Sequence, residues 1–307
     1  MFARPPRLLV AAVLLLALTA VSSGAMARGT LTPPAAGGSS PGIVEEVRDV
    51  RVGSYIVEHR ILIDTRVAHD PAAVADRIAG ASASDGAVTA QYVVNAWKWP
   101  ASAMPIAVHY NRSLEGPRPS IQGPIESAID EWSSVTPTTF RFVYAGATTA
   151  GTGACDGDGV PDGINTIAYV TTLPVGTLGQ TCTLRGGDNS TTLFEFDMQL
   201  NWTADWSVAP VIQPQQYDLY STVLHEMGHA AGLAHPCILG SSFCTATDRA
   251  AVMYASLLNG VEKRVLTPDD MDGLRALYPG GPPPLSSPPP FTRLYSAVLP
   301  EIIRAAD

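Results

Sequence analysis

Histidine and cysteine are scarce in this chain, at six and four residues of 307. No cysteine precedes Cys155, so a thiol is excluded from the N-terminal half. No histidine falls within residues 110–224, so imidazole ligands are excluded from the middle of the chain. Basic charge is short as well: 19 Lys and Arg stand against 28 Asp and Glu, a formal charge of −9. Such a chain has no electrostatic footprint for nucleic acid or an anionic membrane surface. Long apolar runs are missing too. The one apolar stretch, residues 8–21, falls short of the roughly 20 residues that span a bilayer, so no stable membrane insertion is expected. No cysteine closely follows that stretch, which argues against a lipid anchor. No internal repeat is visible, which speaks against a repeat architecture.

What is present points to a folded, exported protein. Hydrophobic residues make up 46% of the chain, and its length suffices for one or two domains with a sizeable core. Arg4 and Arg7, the apolar stretch and the small-x-small site Ala25-Met26-Ala27 read as a signal peptide over residues 1–27. A secreted, extracellular location follows. Loss of those two arginines and no acids takes the formal charge from −9 to −11 and leaves carboxylates to spare for calcium. Four cysteines in an exported chain read as disulfides, with three possible connectivities. Cys155–Cys182 and Cys237–Cys244 are favoured because each closes a local loop; free thiols are the alternative.

Residues 28–42 read as a flexible linker. Val50, Val52, Tyr55 and Val57 predict a hairpin turning at Gly53-Ser54, and residues 72–79 a short helix. Residues 43–90 thus form a small N-terminal segment. Strands are expected at 106–110, 139–144, 166–171 and 193–200. Helices are expected at 124–132, at 220–232, and from the N-cap Thr267 to Leu277. Residues 280–307 read as a proline-rich linker and tail. The order of elements is that of an α+β protein.

Residues 225–235 carry the chemistry: His-Glu-Met-Gly-His-Ala-Ala-Gly-Leu-Ala-His. His225 and His229 are four apart and share a helix face, where two neutral imidazoles can hold one zinc ion. Gly232 stands where the helix must stop with positive φ, and the turn brings His235 round as third ligand. Three protein ligands leave a fourth position for water, the layout of a catalytic site. Glu226 is placed to act as its base. A second constellation, Asp156, Asp158 and Asp162 among glycines, suits a hard oxygen-liganded cation such as Ca²⁺, or is a solvated acidic turn.

With these residues the chain resembles the metzincin zinc peptidases, and among them the matrixin group. Residues 125–140 look like the family's first helix and following strand. Ala251-Val252-Met253-Tyr254 looks like its methionine turn, residues 266–278 are similar to its last helix, and Lys98-Trp99 resembles the start of its catalytic domain. The likeness covers residues 91–279. It implies a mixed twisted sheet with a long first helix, a zinc-site helix and a C-terminal helix. It further implies a secreted, monomeric endopeptidase acting on proteins or peptides, with one catalytic Zn²⁺ and structural Ca²⁺. Met253 would be a soft floor under the metal, and Asp197 a further, weaker metal-facing acid. Three departures stand out. The pro-segment cysteine that blocks zinc in the family is absent. So are the histidines of its second, structural zinc. Ala255 replaces the proline that usually follows Met-Tyr. Residues 43–90, which follow the signal and linker and precede the resemblance, are expected to be a pro-segment covering the cleft without a thiol, or else a permanent part of the fold. Two other functions remain: an inactive calcium-dependent binding module on a peptidase fold, and a metal-dependent hydrolase of non-peptide substrates.

Overall fold

The computed structural model describes residues 42–79, 97–156, 161–187, 190–237, 244–256 and 259–280. Both proposed linkers and the signal segment lie outside these residues, apart from residues 42 and 280. A hairpin comes first, of β1 (Ile43–Val52) and β2 (Tyr55–Asp64). Its two-residue turn places Gly53 at φ 59°, a conformation that suits glycine. Helix α1 (Pro71–Ala79) follows, its first turn capped by the Asp70 carboxylate, which accepts from the Ala73 N–H. Val74 and Ala75 of α1 pack on Ile61 and Ile63 of β2.

The remainder is β3 (Ile106–Asn111), α2 (Gln122–Ser134), β4 (Phe142–Thr148), β5 (Thr166–Val170), β6 (Thr177–Gly186), β7 (Leu193–Asn201), the two-residue β8 (Trp206–Ser207) and β9 (Tyr217–Asp218), α3 (Leu219–Ala230), α4 (Ala246–Ala250) and α5 (Pro268–Leu277). Seven strands form one sheet in the order β1-β2-β6-β7-β5-β3-β4. The β3–β4, β3–β5 and β5–β7 pairs are parallel; β6–β7, β2–β6 and β1–β2 are antiparallel. Helices α2 and α3 cover one face. Trp132 of α2 is fully buried there and donates its indole N–H to the Leu224 carbonyl of α3 at 2.9 Å. No helix among the described residues is long and apolar enough to cross a membrane.

Three features depart from the sequence reading. Strand β4 starts at Phe142 rather than 139, because residues 138–139 pair with the chain after α5: the Thr139 N–H donates to the Tyr278 carbonyl, and Thr138 bridges Pro279. Strand β6 was not expected at all. Its sequence, TLGQTCTLRG, is poor in large apolar residues, yet nine of its ten positions are buried. Buried Gln180 at its centre is satisfied across the sheet: His59 donates to Gln180, Gln180 to Gln199, and Gln199 in turn to Thr152 and Asp156. Helix α4 was also unforeseen; it is five residues long and held by a capping box of Thr245 and Asp248.

Candidate metal centre

Helix α3 runs through the core, with only Tyr220 of its twelve residues outside the buried set. Its N-terminus is capped by Asp218, which accepts from Ser221 N–H and is held by Arg264 through contacts of 2.7 and 2.8 Å. Its C-terminus ends in a Schellman turn. The Gly232 N–H donates to the His229 carbonyl at 2.8 Å and the Leu233 N–H to the Gly228 carbonyl at 3.0 Å. Gly232 sits at φ 96°, and a Cβ there would lie 2.8 Å from the Trp97 carbonyl oxygen. The turn therefore needs glycine twice over, and it carries His235 back beside the helix.

Burying histidines in such a helix is costly unless their polar atoms are used. His225 Nδ1 lies 2.7 Å from the Val252 carbonyl and His229 Nδ1 2.8 Å from the Leu233 carbonyl. A carbonyl can only accept, so each Nδ1 carries the proton and each Nε2 presents a lone pair. Those two lone pairs face one another at 3.1 Å. His235 joins them, its ring centroid 4.9 Å from that of His229.

A fourth group enters the cluster from β1. Glu45 Oε1 lies 2.9 Å from His229 Nε2 and 3.7 Å from His225 Nε2, and Oε2 lies 2.8 Å from His235 Nε2. Ligands about 2.0–2.1 Å from a tetrahedral zinc stand roughly 3.3 Å apart, so this spacing fits the ion. The donor chemistry fits too: Glu45 Oε1 and His235 Nε2 are buried and make no hydrogen bond among the described residues. This is the one group of three or more potential ligands found among the described residues. Burial pulls His229 down to about 3 and lowers His235, keeping both imidazoles neutral against the pull of Glu45. His225 is pulled down by burial as well, but the Glu45 carboxylate beside it outweighs this and raises it.

Glu226 is fully buried beside the cluster. Its Oε2 accepts from the Thr181 hydroxyl of β6 at 2.5 Å, while Oε1 has no hydrogen-bond partner among the described residues. Burial, and then the charge of Glu45, push its carboxyl up to about 7, against the pull of His225 and Thr181. Met253 packs into a notch on α3 at Gly228, where a Cβ would come within 2.2 Å of the Met253 sulfur. Thus His225, Glu226, His229, His235 and Met253 are brought together. Sequence reasoning missed Glu45 and Thr181. Thr181 lies on the strand that carried no signal, and Glu45 is one of many acids on an exposed-looking hairpin.

Both expected disulfides are formed, Cys155–Cys182 and Cys237–Cys244. Of the acidic loop, Asp158 lies outside the described residues. Asp156 accepts from Gln199 at 2.7 Å. Asp162 accepts from the Ile164 N–H at 2.8 Å and adds its charge to those of Glu195 and Asp197. Asp197 accepts from the N–H groups of Ala154 and Thr166, both at 2.9 Å. Burial, helped by the neighbouring acids and opposed by these two hydrogen bonds, pushes its carboxyl up to about 8. Glu195 Oε1 is buried without a hydrogen-bond partner among the described residues. Glu195 was not foreseen as a member of this group.

The Matrixin family model matches residues 98–279. Interstitial collagenase of Oryctolagus cuniculus is 30% identical over 168 residues, covering 52% of this chain and 29% of the relative. Matrix metalloproteinase-27 of Tupaia belangeri is 28% identical over 195 residues, covering 60% and 31%. Metalloendoproteinase 1 of Glycine max is 35% identical over 83 residues, covering 27% and 24%. The chain thus spans less than a third of the length of these relatives.

Proposed function

The chain belongs to the matrixin family, and on that premise we propose that it is a secreted zinc endopeptidase with Glu226 as its general base. The observation that carries this reading is the convergence of three imidazole Nε2 atoms with a buried carboxylate beside them. His225, His229 and His235 would hold the ion. Zinc bound there supplies Lewis acidity to an attacking water and to the carbonyl it attacks. Glu226 takes the proton of that water through Oε1, the oxygen that Thr181 leaves free, and hands it to the departing amine. Its raised pKa suits both roles, since a base poised near neutrality can also return the proton. Val252 and Leu233 fix the two helix imidazoles by holding their Nδ1 protons. Met253 fills the notch at Gly228 and sets the floor of the site without ligating.

The acids Asp162, Glu195 and Asp197, with Asp156 and Asp158 of the same loop, are proposed as a structural calcium site. Their support is the crowding of like charges around a buried, half-satisfied carboxylate, which a hard cation would relieve. Digestion of casein by the secreted protein, given time to process, tests the endopeptidase reading. Cleavage should stop with 1,10-phenanthroline and return with added zinc. Zinc retention without any cleavage would favour the inactive binding module instead.

A further inference from the structure

We propose that Glu45 is a fourth ligand to the zinc ion, delivered by the β1–β2 hairpin, and that the hairpin thereby keeps the centre closed until it is displaced. The inference rests on the zinc reading of the three histidines. Glu45 lies far from them in sequence, on a strand outside the residues matched by the family. Its side chain is wholly buried, with both oxygens against imidazole nitrogens.

Consider these contacts without a cation. His225 and His229 carry their protons on Nδ1, so their Nε2 lone pairs would face an anion at 3.7 and 2.9 Å. That arrangement is repulsive and satisfies neither side. With a cation at the shared focus, every contact becomes a ligand pair. The set is then three histidines and one carboxylate, the closed four-coordinate type that leaves no position for water.

The rest of the hairpin is built to hold Glu45 there. Arg60 of β2 is buried and bonds Glu45 at 3.2 Å and Glu58 at 2.7 Å, so the ligand carboxylate is aimed by a paired guanidinium. Opposite strand neighbours share a face, and Glu45 pairs with Leu62, itself in the main core beside Ile43. Strand β2 in turn pairs along the outer edge of β6 from Tyr55 to Ile63. That edge carries Thr181, which holds Glu226. Were the hairpin to leave, β6 would present an open strand edge beside the metal, the kind of edge an extended peptide joins by strand addition. The hairpin therefore occupies both places a substrate needs: the open coordination position and the strand edge. It does so with a carboxylate, in a chain that has no thiol to offer before Cys155.

The test uses the full secreted chain, purified and loaded with Co²⁺ in place of zinc, compared with Glu45→Ala and the near-isosteric Glu45→Gln. Two readouts are independent of activity: the visible spectrum of the bound Co²⁺, and the affinity for acetohydroxamate, a small metal-seeking anion, by calorimetry. The parent should bind one metal per chain and exclude acetohydroxamate. If the open form is about 1% populated, its apparent affinity falls about 100-fold below that of the variants. Both variants should keep the metal, change the spectrum and take up the probe. Equal spectra and equal affinity in parent and variants would overturn the inference while leaving the zinc reading intact. A parent that retains no metal would overturn both. Should neither variant fold, the parent alone decides: tight acetohydroxamate binding to the unprocessed chain contradicts a closed centre, and exclusion of the probe supports it.

Discussion

Asp270 Oδ1, in the first turn of α5, accepts the backbone N–H of Met253 at 2.9 Å. Its other oxygen takes the N–H of Val252 at 3.0 Å, and the Val252 carbonyl holds His225 Nδ1 at 2.7 Å. A helix cap some forty residues beyond the histidine motif is thus two bonds away from His225, a proposed ligand. Asp270 also completes the capping box with Thr267. Asp270→Ala should cost about 2–4 kcal/mol, combining a lost cap with buried N–H groups left unpaired. Chemical denaturation would measure it, alongside a lowered zinc affinity. A loss below about 0.5 kcal/mol with unchanged zinc affinity would show that the methionine turn is held by other contacts.

Gly228→Ala should be destabilising although it places a better helix former in mid-helix. The propensity gain is about 0.8–1.0 kcal/mol. Against it, the new Cβ would meet the Met253 sulfur at 2.2 Å and the Trp132 ring at 2.8 Å. Overpacking of this kind costs about 1–3 kcal/mol. A thermal melt that rises in the variant would contradict the packing described for Met253.

Stability of the calcium-free protein should fall as pH rises from about 4 to 8. The folded-state pKa of Asp197 is raised, to about 8, above its value of about 3.9 in an unfolded chain. The folded state therefore binds more protons through that window and loses its advantage as they leave. Glu226, raised to about 7, adds a slope of the same sign. In EGTA the melting temperature should decline between pH 5 and 8; calcium should flatten the decline, and Asp197→Asn should remove part of it. An identical pH slope with and without calcium would rule out a cation among these acids.

The convergence of the three histidines was legible because helical spacing, a stop glycine and a third histidine are local facts of sequence. The α5 cap was equally plain in Thr267-Pro268-Asp269-Asp270. Strand β6 was not, because its threonines and glutamines are buried through pairing with β2 and β7 rather than through hydrophobicity. Glu45 was invisible for a related reason. An acid beside Glu46 on an amphipathic hairpin reads as solvated until the sheet order carries β1 over the histidines. A covering role could be proposed for residues 43–90 from their position in the chain, but nothing there singled out Glu45.

Processing gives a further expectation. If the hairpin must leave, the active secreted enzyme should begin near Ala90, and terminal sequencing should find it there. An active enzyme beginning near Arg28 would mean that the N-terminal segment stays.

The most direct measurement compares the active secreted form with its Glu226→Ala variant, reading zinc content and peptide cleavage on the same preparations. Both should hold about one zinc per chain, because three histidines remain to bind it. The variant should cleave casein about 10²–10⁴-fold more slowly, the usual worth of a general base. Cleavage by the variant at the parent rate, with zinc still bound, would contradict the role given to Glu226 and with it the proposed mechanism.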